Sequence, residues 1–289
     1  MPTLYVVATP LGNLRDLSPR ARDILAAVDV IAAEDTRHSQ RLLNAFGICA
    51  KRLLAVHQHN EQQAAGQIIE WLAQGQHVAL ITDAGTPAVS DPGARLIARV
   101  REAGYTASPI PGACAAVAAL SVAGIAESGF RFIGFLPAKE QSRCAALTAL
   151  ADERNAMVFY EAPHRIEACV ANMAEIFGGG REILIARELT KLHEEIAAMP
   201  LARAGAWFVA DANRTRGEFV LIVRGADAPE GIDTRALRVL ELLLDELPLG
   251  TAVRLAAKIT GAPRKGLYEY ALERHRQNNS YPDRLYDNT

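Results

Sequence analysis

The chain has 289 residues, 50% hydrophobic and 22% charged, with a formal net charge of -2 and a mean hydropathy of +0.04. By mass scaling a monomer of this size buries roughly 73% of its unfolded surface, which excludes a disordered chain and a disulfide-stapled miniature alike. The near-neutral total gives no general attraction to polyanions, so any nucleic-acid partner requires a local basic surface.

No apolar run approaches the ~18 residues of a membrane span, and the apolar stretch at residues 4–8 has neither the basic flank nor the length of a signal segment. A cytoplasmic protein without membrane contact is expected. Cys49, Cys114, Cys144 and Cys169 form no Cys-x-x-Cys pair. They read as reduced thiols, with neither disulfide nor zinc site.

Apolar β-rich runs then alternate with helical patterns, the signature of an α/β fold. Residues 4–8 predict a strand, followed by the turn Thr9-Pro10-Leu11-Gly12-Asn13. Ser18-Pro19 caps a helix on which Leu17, Ala21, Ile24, Leu25 and Val28 recur at helical spacing. A strand at 30–33, a helix at 39–46 ending at Gly47, and a strand at 53–56 repeat the unit. Asn60 and Gln63 suggest a capping box for a helix carrying Ile68, Ile69 and Leu72, stopped at Gly75. The strand at 78–81 feeds a loop at 83–93 rich in Gly, Pro, Ser and Asp before a helix at 94–100. Pro109-Ile110-Pro111-Gly112 reads as a turn opening an Ala-rich helix at 113–123.

A second α/β set follows, with strands at 132–135, 157–160, 183–186 and 219–223 and helices at 141–152 and 164–177, the latter ended by three glycines. Beyond residues 226–231 the pattern is helical only, at 237–247, 251–260 and 264–273, with a Gly-containing turn of helix-turn-helix type. Residues 250–276 hold six basic side chains, among them Arg254, Lys258, Arg264 and Lys265, against two acids. Local charge supplies what the total lacks. The expected domains are 1–115 and 116–230, both α/β, a helical module at 231–276, and a disordered tail at 277–289.

Familiar catalytic signatures are missing. There is no Gly-x-Gly-x-x-Gly after the first strand, no phosphate loop, no Gly-x-Ser-x-Gly elbow, and His193-Glu194-Glu195-Ile196-Ala197 lacks the second His of a zinc protease. What remains is a set of Gly/Pro loops at strand ends, where ligands of open α/β sheets sit. Taken one at a time they are plain turns. Taken together, Val7-Ala8-Thr9-Pro10-Leu11-Gly12-Asn13-Leu14, Ala33-Glu34-Asp35-Thr36-Arg37, Thr82-Asp83-Ala84-Gly85-Thr86-Pro87 with Ser90-Asp91-Pro92-Gly93, Gly134-Phe135-Leu136-Pro137, Phe159-Tyr160-Glu161 and Arg187-Glu188-Leu189-Thr190-Lys191 carry a resemblance. The chain resembles the bacterial 16S rRNA (cytidine-2'-O)-methyltransferases of the tetrapyrrole methylase superfamily over about residues 4–276. It departs from that pattern at Ala113, where relatives carry Pro, and at Ala162-Pro163, where they are more polar.

The resemblance implies a tetrapyrrole methylase-like fold, two α/β domains with the cofactor cleft between them plus a small C-terminal all-α module, in a homodimer acting on 16S rRNA or the small ribosomal subunit. It also implies S-adenosyl-L-methionine at Pro10, Asp83, Ala84, Gly85, Thr86, Val89, Cys114, Ala115, Glu161 and Leu189, with Cys114 a packing residue. A ribose hydroxyl is a poor nucleophile, so it must be aligned and relieved of its proton. Lys191, Glu188, Asp35 and Arg37 are the catalytic candidates; Asp83 could instead brace its turn, and Asp35 could pair with Arg37. His57, His59 and Tyr160 are candidate substrate contacts, the last by stacking. Arg254, Lys258, Arg264 and Lys265 are the candidate phosphate contacts. No metal site is expected. Two other readings stay open: a methylase of a tetrapyrrole or other small molecule, and a ligand-sensing DNA-binding regulator.

Overall fold

The computed structural model describes residues 1–125, 129–227 and 234–278. Two compact units result, Met1–Ala226 and Asp227–Thr289. Most of the tail expected at 277–289 lies outside the described residues.

The first unit holds two five-stranded sheets. In the first, β1 (Thr3–Val7), β2 (Val30–Ala33), β3 (Leu53–Ala55), β4 (Val78–Ile81) and β5 (Thr106–Ile110) are all parallel, in the order β3-β2-β4-β1-β5. Such strands are buried on both faces, which is why β2 and β4 are uninterrupted apolar runs. Helices α1 (Pro19–Ala27) and α2 (Thr36–Ala45) cover one face through Leu25 and Leu43, while α3 (Glu61–Ala73) and α4 (Ala94–Glu102) cover the other through Ile68, Leu72, Leu96 and Val100. From the adjacent strands β1 and β4 the chain leaves in opposite directions, to β2 and to β5. A crevice opens at the carboxyl ends of such a pair.

The second sheet combines β6 (Phe130–Phe135), β7 (Ala156–Glu161), β8 (Glu182–Arg187), β9 (Glu195–Pro200) and β10 (Phe219–Val223) in the order β6-β7-β10-β8-β9. Only the β6–β7 pair is parallel. Helix α5 (Ala115–Ser121) packs Ala116 and Ala119 on one face, against Val158, Ala186 and Val220. On the other face, α6 (Glu140–Thr148), α7 (Ile166–Phe177) and α8 (Leu201–Ala210) close a core around Phe159, Met173 and Phe208.

Several local expectations are corrected. Residues 106–110 form a strand where a turn was expected at 109–112, because Pro109 lies in an edge strand that can lose a donor. The Ala-rich helix is shorter, seven residues from Ala115. Asn60 precedes α3 without capping it; its side chain instead accepts from the His57 N–H and donates to the Ala55 carbonyl. Strand β9 and helix α8 were not anticipated.

In the second unit α9 (Thr234–Glu246), α10 (Leu249–Thr260) and α11 (Arg264–Asn278) enclose Leu240, Val253, Ala256 and Leu267. Gly261, in the left-handed region, ends α10. No helix among the described residues is long and apolar enough to cross a membrane.

Candidate active site

A cavity of about 430 Å³ lies where the loops after β1 and β4 face the second sheet. That volume is in the range of small-molecule sites. Its floor is knitted by backbone bonds: Thr9 and Gly85 exchange N–H···O contacts of 2.8 and 3.0 Å, and the Thr9 hydroxyl donates to the Thr82 carbonyl at 3.0 Å. Gly85 sits at φ +81°, and a Cβ there would come within 3.3 Å of Leu11. The Thr86 hydroxyl donates to the Ala113 carbonyl at 2.9 Å, tying this loop to the approach of α5.

Among the described residues, four other than glycine also have positive φ, Ala88 (68°), Ser90 (67°), Glu188 (51°) and Thr190 (66°). They fall in two loops, after β4 and after β8, and both loops contribute to the cavity wall through Val89 and Leu189. Strained backbone of this kind persists only where its surroundings over-determine it.

The lining is charged in one sense. Glu34, Asp83, Asp91, Glu161 and Glu218 contribute carboxyl groups, and among the described residues no Lys or Arg lines the cavity. Glu161, fully buried, is neutralised from behind by Arg165, whose Nε lies 3.1 Å from Oε1. Asp83 receives the Asp35 N–H at 3.1 Å; burial nevertheless raises its carboxyl above the ordinary range, with Glu34 adding to the effect. Burial, then Glu34, pushes Asp91 up to about 6. Tyr160 accepts the Ala116 N–H at its hydroxyl, 3.1 Å away, and burial with the nearby Cys114 lifts it to about 12. It remains a neutral phenol. Phe135 stands edge-on to Tyr160, with ring centroids 5.7 Å apart, and is 55% exposed.

All residues expected at the cofactor line this cavity except Pro10, which is buried beside it. The catalytic candidates stand apart from the lining. Asp35 caps α2, accepting the N–H groups of Arg37 and His38, and those bonds hold its carboxyl below the usual value. Arg37 pairs with Asp35 at 3.4 Å, and its side chain is 88% exposed. Lys191 reaches the rim: Nζ donates to Glu188 Oε1 at 2.8 Å and to Glu218 Oε2 at 2.9 Å. Burial alone would lower its ammonium, but the bonds to Glu188 and Glu218 outweigh that and the net shift is upward. Burial opposes ionisation of Glu188 as well, yet the Lys191 bond and the Glu218 N–H hold it below the ordinary value. The charged pair is therefore stable at neutral pH, and Lys191 is a cation, not a proton acceptor.

Among the lining residues to which the sequence assigned no role are Glu34, Ser90, Asp91, Phe135, Glu218 and Phe219. Glu34 and Asp91 stood inside quoted motifs; the signal was their position, directly after β2 and within the β4 loop. His59 lines a neighbouring cavity, whereas His57 lines neither. In the helical unit Arg254, Lys258, Arg264 and Lys265 are all exposed. Among the described residues no three His, Cys, Asp or Glu side chains converge to hold a metal ion.

A family model for tetrapyrrole (corrin/porphyrin) methylases matches residues 3–205. The chain belongs to that family. A second model, for the RsmI C-terminal HTH domain, matches residues 230–275. Among curated relatives of this methylase, the ribosomal RNA small subunit methyltransferase I of Pseudomonas aeruginosa is 50% identical over 275 residues, covering 94% of this chain and 97% of the relative. The proteins of the same name from Pasteurella multocida and Escherichia coli O157:H7 are each 49% identical, covering 93% of this chain and 96% and 94% of theirs. Solved structures share the fold at lower identity. A cobalt precorrin-4 methyltransferase is 16% identical with a TM-score of 0.57, covering 77% of this chain and 94% of its own. The uroporphyrin-III-C-methyltransferase of Thermus thermophilus is 18% identical with a TM-score of 0.56, covering 78% and 94%.

Proposed function

We propose that this chain is an S-adenosyl-L-methionine-dependent methyltransferase that 2'-O-methylates a cytidine of 16S rRNA, with naked rRNA or the small ribosomal subunit as its substrate. The observation that carries the reading is a cleft lined by Glu34, Asp83 and Asp91, with Glu161 and Glu218 paired to Arg165 and Lys191 outside the lining and no Lys or Arg within it among the described residues. Such a lining suits a cationic sulfonium and repels a nucleotide phosphate. The names of the relatives supply the RNA. When bound, the sulfonium offers an electrophilic methyl group and its sulfur can accept the electron pair of the breaking bond.

The chain's own residues have separable tasks in this reading. Gly85, Thr86, Val89, Ala115 and Leu189 allow close approach and exclude water. Asp83 and the backbone of its loop face the positive charge. Lys191, held by Glu188 and Glu218, orients the acceptor ribose and steadies charge developing on its oxygen. Arg254, Lys258, Arg264 and Lys265 give the helical unit a surface for RNA phosphates. A small-molecule methylase has no evident use for such a surface. A cytoplasmic homodimer belongs to the same proposal.

Incubation with labelled cofactor and small subunits or 16S rRNA, followed by digestion to nucleosides, tests it. The expected label is in 2'-O-methylcytidine. Label in a methylated base, or none on any rRNA form, would overturn the assignment.

A further inference from the structure

Beside the cleft lies a second cavity of about 420 Å³, polar, with Gln58, His59 and Arg95 in its walls. Among the described residues, Ser90 and Asp91 alone line both cavities. We infer that the second cavity receives the acceptor nucleotide and that Asp91, in the wall of both spaces, takes the proton of its ribose hydroxyl. This inference rests on the methyl-transfer reading above.

An in-line displacement needs the methyl carbon on one side of the attacking oxygen and a proton acceptor within reach on another. Asp91 occupies the place where those demands meet. The other candidates do not lie between the two cavities. Glu34 accepts the Thr82 hydroxyl, Asp83 accepts the Asp35 N–H, and both line only the cofactor cleft. Glu61, on the second cavity, accepts the N–H groups of Arg95 and Leu96 at 3.1 and 3.3 Å, and so fixes the first turn of α4. Lys191 is charged. Arg95, on the second cavity, provides the cation that a nucleotide phosphate needs and that the first cavity lacks.

Asp91 faces Glu34 and Asp83 at the ends of β2 and β4, the Thr82 hydroxyl, and Tyr160 on β7; from the second cavity it faces His59, Glu61 and Arg95. Burial first, then Glu34 and Asp83, raise its carboxyl to about 6, the nearby Thr82 hydroxyl opposing the rise. It is thus ionised at neutral pH while more basic than an exposed aspartate. During transfer the hydroxyl oxygen forms its bond to the methyl carbon, and the carbon–sulfur bond breaks with its electron pair on sulfur. The hydroxyl proton passes to the Asp91 carboxylate and then to water.

The test uses the full chain. Asp91→Asn should lower kcat for rRNA methylation, measured at saturating cofactor, at least about 100-fold. Wild-type kcat/KM for the cofactor, which follows the cofactor-free enzyme, should fall as pH drops through about 6, and Asp83→Asn, by removing a like charge, should move that limb to lower pH. In the cofactor-free protein, carbon-13 NMR should find an aspartate carboxyl titrating near 6 that is missing from Asp91→Asn. Arg95→Ala should raise KM for RNA with cofactor affinity kept.

Near-normal turnover by a folded Asp91→Asn overturns the proton-acceptor role, and unchanged RNA KM in Arg95→Ala overturns the nucleotide cavity. Should Asp91→Asn not fold, a flat wild-type kcat/KM for the cofactor between pH 5 and 7, or no aspartate titrating near 6 in the cofactor-free wild type, overturns the role equally. If the wild type binds cofactor yet makes no 2'-O-methylcytidine, the underlying function fails; if it makes that product and Asp91→Asn does too, this inference fails alone.

Discussion

Gly85 marks the point where backbone conformation and ligand space coincide. Its φ of +81° excludes a β-branched residue without strain, and a Cβ would press on Leu11. Gly85→Val should weaken cofactor binding at least about tenfold by calorimetry while circular dichroism still reports a folded chain, since the strain of about 1–3 kcal/mol is local. Lys191 presents the complementary case, a charge whose position matters. Its stem lies against Gly12, where an added Cβ would collide with Lys191 Cγ. Lys191→Ala should lower kcat more than cofactor affinity, because its charge acts mainly on the transition state. Gly12→Ala keeps the ammonium but displaces it; it should reproduce part of the same kcat loss, whereas wild-type turnover in both variants would remove Lys191 from the site. At this scale the sequence distinguishes residue types better than directions. Glu34 and Asp35 are adjacent acids after one strand, yet Glu34 turns into the cleft while Asp35 turns back to cap α2. Nothing in their spacing decides between them, because the decision is made by where the next helix begins.

Central strands announce themselves, and two of the four edge strands, β5 and β9, do not. β2, β4 and β10 are continuous apolar runs because both faces are covered, and the sequence reads them to within a residue. β5 and β9 lie at sheet edges. β5 contains Thr106, Ser108 and Pro109, and β9 alternates half-buried and exposed residues from Glu195, so each resembles a loop until its partner strand is known. The α4 cap was hidden for a related reason. Gly93 precedes that helix without a capping side chain, and the N–H groups of Arg95 and Leu96 are taken by Glu61, more than thirty residues earlier in the chain. Local pattern cannot reveal a cap borrowed from another helix. Glu61→Ala should cost about 1–2 kcal/mol of stability by denaturant unfolding. It should also loosen the Ser90–Asp91 turn, raising proteolytic cleavage in the loop after β4. Unchanged cleavage would show that the turn is held by its own backbone.

On the scale of the whole molecule, the two compact units have separate cores and separate electrostatics. The helical unit encloses its own apolar cluster, and the first unit is complete at Ala226. A chain ending at Ala226 should fold and bind cofactor with unchanged affinity. Its RNA affinity should fall and depend less on salt, the log–log slope losing about 0.7 for each phosphate contact removed from single-stranded RNA. Binding measured at several salt concentrations decides this; an unchanged slope means that Arg254, Lys258, Arg264 and Lys265 do not touch the nucleic acid.

The order of the strands carries one more consequence. β1 to β5 form one sheet and β6 to β10 the other, so the backbone passes between the sheets a single time. The helix that follows this passage, α5, packs its alanines on the second sheet, and it is connected to the first sheet through the residues around Ala113 that Thr86 binds. Helix α5 is therefore a latch. If a protease site were inserted between Gly124 and Gly129 and cut, the first fragment would still carry the latch and the second its seat. The nicked protein should stay associated on a sizing column. A ligand touching both sheets would act as a splint across the cut, raising the temperature at which the pieces part, by about 2.7 kcal/mol of added stability at a hundredfold excess over Kd.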